Sequence, residues 1–339
     1  MVSSASLRLR CALLALCAAA RAAAQAPPAG AWEPVVSSSA PPALVLRKPT
    51  SFAGCFFAVT NTSAGMGASQ FDVVANAWVA LPLLPAQPAI GDPFALAFGG
   101  LLYVVDELAP GQAVALDTAN AAGGWTALVI PNAPAPMSRY GQRFAAWGSL
   151  VYAFSGAEIA TGATHSDVMV VDLVSPGTSG WLLAAADGTP GLPPGRVGYS
   201  VTAFGLGLVI YGGVSIPPPN ARGYLPDVCF DPTQSSLCDF HDSVWVFLPG
   251  NHAPSAGSVS AANFLHLGQG GPAIPAGRFD HTAAGHTDTL YVYGGTTAKG
   301  TTNELWSYSL ISETWAQVAP SSPAPSIVSD IGYGAGIGM

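Results

Sequence analysis

Apolar residues in this chain come in short runs that turn back on one another. In "GRFDHTAAGHTDTLYVYGG", residues 277–295, a run of small residues turns tightly and returns as an aliphatic and aromatic run that stops at Gly294 and Gly295. "GRVGYSVTAFGLGLVIYGG" at 195–213 and "SRYGQRFAAWGSLVYAFSG" at 138–156 repeat the pattern. The arginine and the last glycine stand 17 residues apart in every copy: Arg139 to Gly156, Arg196 to Gly213 and Arg278 to Gly295. A fixed spacing found three times marks one unit used three times.

Each unit goes on to a third strand, "SDVMVVDL" at 166–173, "DSVWVFLP" at 242–249 and "NELWSYSL" at 303–310. A fourth follows near a tryptophan, as in "SGWLLA" with Trp181 and "ETWAQV" with Trp315. Four antiparallel strands and a restart predict a propeller blade. Glycines closing the second strand predict positive φ or a close backbone approach there. Two weaker blades lie upstream. "GCFFAVTN" and "QFDVVANAWVALPLLP" (70–85, with Trp78) supply strands two to four of one, and residues 93–128, with Trp125, supply four strands of the next. Trp32 in "AWEPVV" precedes Trp78 by 46 residues, close to the 47 between Trp78 and Trp125, and reads as an isolated fourth strand.

An arginine at the start, a Gly-Gly pair after strand two, a polar residue and tryptophan in strand three and a tryptophan in strand four resemble the kelch repeat family, best at 277–315. The resemblance covers nearly the whole chain after its leader. It implies an all-β fold, a kelch-type β-propeller of four-stranded antiparallel blades, five traceable and a partial sixth. That closing blade would take its outer strand from Trp32 and its inner strand from "SIVSDIGYGAGIGM". Its second and third strands are absent from the sequence, so the chain is expected to be a fragment of a longer one.

Composition narrows the class. Only 9% of residues are charged, against roughly 25% in typical domains, and 39 Gly with 30 Pro argue for turns over long helices. A net charge of -8 with 11 Lys and Arg gives no basic stripe, which argues against nucleic acid and anionic membranes. Arg8 and Arg10, an apolar run from Cys11 to Ala20 and the small residues Ala22 and Ala24 predict a signal peptide at 1–24 and a propeller domain at 25–339. The run is too short to span a bilayer, and no membrane span is expected in the rest of the chain. The expected setting is therefore secreted or extracytoplasmic, at the cell surface if an anchor follows residue 339. Export makes a disulfide between Cys229 and Cys238 the expected state of those cysteines, and makes the sequon at Asn61 usable for glycosylation.

Candidate chemistry is sparse. The six histidines lack metal-ligand spacing, the glycine pairs lack a following Lys-Ser/Thr, and no G-x-S-x-G elbow occurs, so no metal or cofactor is expected. Loops between strands two and three, and between strands four and one, share one face of a propeller. The long insertion at 214–242 lies there, with Tyr224, Leu225 and Phe230 as candidate anchors. Arg139, Arg196 and Arg278 open first strands in neighbouring blades. They read either as structural donors or as a partial ring of forks for an acidic ligand. The expected function is a non-enzymatic scaffold that binds a protein or glycan through this face. The alternative is a secreted enzyme similar to galactose oxidase or a sialic acid mutarotase. For the latter, Asp280 with His281 is the candidate pair.

Overall fold

The computed structural model describes residues 50–319, apart from several connecting stretches of which the longest is 216–228. The leader 1–24, Trp32 and the tail "SIVSDIGYGAGIGM" lie outside the described residues. Within them, five four-stranded antiparallel sheets follow one another in chain order. Blade one is Thr50–Phe52, Cys55–Thr62, Gly65–Asp72 and Ala77–Ala80. Blade two is Pro93–Phe98, Leu101–Asp106, Gln112–Asp117 and Thr126–Val129. Blade three is Arg143–Trp147, Leu150–Phe154, Val168–Asp172 and Leu182–Ala185. Blade four is Ser200–Phe204, Gly207–Tyr211, Val244–Phe247 and Phe264–His266, and blade five is Thr282–His286, Thr289–Tyr293, Leu305–Ser309 and Thr314–Val318.

The core lies between blades rather than inside any one of them. Val209, Tyr211 and Val246 of blade four pack with Leu290, Val292 and Trp306 of blade five, and comparable apolar clusters join each earlier pair of blades. Strands sandwiched in this way are apolar on both faces, as Gly207–Tyr211 is. First strands of successive blades approach one another and so form the inner edge of the arc. Trp315 is fully buried and lies 5.0 Å, ring to ring, from Tyr211 of the preceding blade. In blade four Phe264 takes the corresponding place. No sheet among the described residues combines strands of the first and last blades.

Two details differ from the sequence reading. Blade one has a first strand, Thr50–Phe52, and its third strand starts already at Gly65. Apolar patterning is weak in both segments, so neither stood out. The arginines do not open the first strands. They sit four residues earlier in short segments of their own, Arg139–Tyr140 pairing with Ala157–Glu158 and Arg278–Phe279 pairing with Thr296–Thr297. A residue of positive φ, Gly141, Gly198 or Asp280, turns the chain from each arginine segment into the first strand. At the opposite end of blades one to three, Asp72, Asp117 and Asp172 each accept a backbone N–H two residues on, which fixes the turn into strand four.

Candidate interaction surface

The glycine pairs, the arginine segments and the insertion all gather at the end of the blades where strand two stops. Both members of each pair have positive φ: Gly212 and Gly213 at 70° and 96°, Gly294 and Gly295 at 69° and 89°. In blade three Ser155, at 56°, stands in for the first glycine. This double left-handed turn exposes a backbone N–H to the next blade. Gly156 N–H donates to the Arg196 carbonyl at 3.3 Å and Gly213 N–H to the Arg278 carbonyl at 2.8 Å.

Each arginine braces its own blade. Arg278, wholly buried, donates to Ala276 O at 3.1 Å, Gly294 O at 3.0 Å and Glu304 Oε2 at 2.9 Å. Arg196 makes the same two carbonyl contacts, to Pro194 and Gly212, both at 2.9 Å. Arg139 pairs with Asp167. The third partner always precedes strand three, and it is a carboxylate in blades three and five but Ser243 in blade four, 3.3 Å from Arg196. With exposures of 5%, 1% and 0%, Arg139, Arg196 and Arg278 leave no exposed guanidinium from which to build a ring for an acidic ligand.

Blade four consequently holds a buried cation with a hydroxyl where its sisters have a carboxylate. Burial pulls Arg196 down to about 10, and its Nη2 has no hydrogen-bond partner among the described residues. Ser243→Asp restores the sister arrangement. It is expected to stabilise the protein by roughly 1–3 kcal/mol, the worth of a hydrogen bond to a charged group, read as a higher urea midpoint. An unchanged or lower midpoint would show that Arg196 does not need the carboxylate.

The insertion is rooted by a second short ladder, Val214–Ser215 with Asp239–Phe240, and by the Cys229–Cys238 disulfide, with Cα atoms 5.9 Å apart. Cys229 is buried in a small apolar cluster with Tyr140, Val197, Val214 and Phe279, flanked by Cys238 and Phe240. Tyr140, Val197 and Phe279 each follow one of the three arginines, so equivalent positions of three blades build this patch. The expected anchors Tyr224, Leu225 and Phe230 and the side chain of Asn61 lie outside the described residues; the Asn61 backbone belongs to the second strand of blade one.

Two histidines, His281 and His241, are structural joints. His281 is fully buried, with Nε2 2.9 Å from Ser200 Oγ of blade four, so the Asp280–His281 pair presents no imidazole to a pore. His241 leaves the insertion root, with Nε2 2.9 Å from Ser215 Oγ and its carbonyl accepting Arg278 N–H. Burial, and then the nearby charge of Arg196, push its imidazole down to about 3. An unfolded histidine titrates near 6.5, so between about 6.5 and 3 the unfolded chain takes up a proton that the folded chain refuses. Stability should fall with falling pH across that window, by up to about 1.4 kcal/mol per unit. His241→Gln is expected to flatten the thermal midpoint between pH 6.5 and 4.5; a variant profile as steep as the parent's would contradict it.

An arc of four-stranded blades, with paired positive-φ residues after strand two and an arginine brace in front of strand one in blades three to five, defines a repeat protein of the propeller type. Residues 277–322 match the family model described as the Kelch motif. It is similar to Kelch domain-containing protein 3 of Homo sapiens, Bos taurus and Rattus norvegicus, at 24% identity over 198 residues. The match takes in 56% of this chain and 43% of each relative, so it spans less than half of their length. Kelch repeats serve in general as protein-interaction modules, and a surface made of loops on a rigid scaffold suits that role.

Proposed function

We propose that this chain is an extracytoplasmic scaffold that docks a partner on the face carrying the arginine segments and the insertion. The observation that carries the reading is the disulfide-tied root of the insertion on this face, which the buried apolar cluster of Tyr140, Val197 and Phe279 anchors to three blades. Rigid ladders at the root hold that surface in one shape, which lowers the ordering cost of binding. The signal-like leader and the disulfide both support an exported setting.

Charge selects the partner. All four described arginines, Arg139, Arg143, Arg196 and Arg278, are buried. Glu158, Asp187 and Glu304 stand on this face with side-chain exposures of 35%, 50% and 39%. Such a face attracts a basic protein segment more readily than an acidic one. A photo-crosslinking residue at Phe240 or Thr301, on this face, should capture a partner from secreted protein. The same residue at Thr287 or Ser312, at the opposite end of blade five, should not. Equal capture from both ends, or from neither, would refute the docking face, and retention of the leader on the mature protein would refute export.

A further inference from the structure

One group of side chains on the same end of blade three supplies two of the carboxylates of that face, Glu158 and Asp187, and supports a second inference that does not depend on a docked partner. Glu158, His165 and Ser166 lie between strands two and three, and Asp187 lies between strand four and the next blade. Their backbone is tied down: His165 N–H donates to Gly156 O at 3.0 Å, Glu158 N–H to Ala163 O at 3.0 Å, and Ala157 pairs with Thr164. Asp187 Oδ1 accepts from Ser166 N–H at 2.7 Å and from Ser166 Oγ at 2.9 Å. Its Oδ2 lies 3.0 Å from His165 Nδ1. Burial alone would raise the Asp187 carboxyl, but these hydrogen bonds hold it below its ordinary value.

A carboxylate on Nδ1 places the proton there and leaves the Nε2 lone pair directed away from Asp187. That Nε2 is enclosed and has no hydrogen-bond partner among the described residues. Glu158 Oε1 nevertheless stands 3.3 Å from it, while Glu158 Oε2 is held by Thr161 Oγ1 at 2.9 Å. Two electron-pair donors thus face each other across a gap that a cation would bridge. In a tetrahedral zinc site with bonds of about 2.0–2.2 Å, neighbouring ligand atoms are about 3.3–3.5 Å apart.

We propose that His165 Nε2 and Glu158 Oε1 bind a divalent transition-metal cation of the zinc type, with Asp187 as the positioning residue behind the imidazole. No group of three or more metal-ligating side chains occurs among the described residues. The site therefore has two protein ligands, and water fills its remaining positions. The arrangement of carboxylate, histidine and metal is one in which the outer carboxylate orients the ring and makes it more basic.

The test is calorimetric titration of zinc chloride into the full chain after removal of metal with EDTA. One equivalent should bind with a Kd below about 0.1 mM. His165→Ala should abolish that binding, Glu158→Gln should weaken it at least tenfold without change in thermal midpoint, and Asp187→Asn should weaken it by about 10–100-fold. If His165→Ala disturbs the fold, Glu158→Gln, at a part-exposed side chain, decides alone. No saturable binding, or an isotherm unchanged by Glu158→Gln, overturns the proposal.

Discussion

Replacing Arg278 by methionine should cost about 3–5 kcal/mol, because three acceptors lose hydrogen bonds to a charged group worth about 1.5–3 kcal/mol each, less what Glu304 regains from water. The methionine keeps much of the aliphatic volume, so the loss reports the guanidinium. Its three acceptors would be affected unequally. Glu304, with 39% side-chain exposure, can rehydrate, but Gly294 O and Ala276 O lose a donor in a site where Arg278 itself is wholly buried. Glu304→Gln should cost less, roughly 1–2 kcal/mol, because the amide oxygen still accepts while the charge is lost. Equilibrium urea unfolding of both variants measures this. An Arg278→Met protein as stable as its parent would mean that the arginine is kept for a ligand and not as a brace.

Gly212→Ala is expected to destabilise the protein by roughly 2–5 kcal/mol, combining left-handed strain with overpacking. At φ +70° a Cβ on residue 212 would stand 2.6 Å from the Arg278 carbonyl oxygen and 2.6 Å from the His281 ring. Both belong to the next blade, and a backbone carbonyl cannot swing aside as a flexible side chain does. Gly294 occupies the same place in blade five at φ +69°, yet the nearest described atom to its Cβ position is Thr302 O at 3.4 Å. Gly294→Ala should therefore cost only the conformational strain, about 1–2 kcal/mol. Comparing the two urea midpoints separates strain from contact between blades. Equal losses would mean that the close approach at Gly212 is readily relieved.

The blades were legible because their signals are local. The run from arginine to glycine pair spans one hairpin, so its spacing survives whatever follows, and the strands of blades three to five fall where the runs lie. The partners of the arginines were hidden because they sit across loops of unequal length. Asp167 lies 28 residues from Arg139, Glu304 lies 26 from Arg278 and Ser243 lies 47 from Arg196. The insertion breaks the register that would have aligned the three. His165 and Asp187 meet over 22 residues for the same reason. The state of His241 depends on burial and on Arg196, neither of which has any trace in the residues beside it. The Cys229–Cys238 pairing was readable, because nine residues of separation, in a chain expected from its leader to be exported, leave few other fates for two thiols.

The double turn after strand two also bears on how such a chain can lengthen. Gly156 hands its N–H to the carbonyl of Arg196, and Gly213 hands its own to Arg278. Blade four therefore carries, at fixed positions, both the plug for its successor and the socket for its predecessor. A duplicated copy inherits a working joint at each end without further substitution, so gene duplication can add blades while loops such as the one at 214–242 diverge independently.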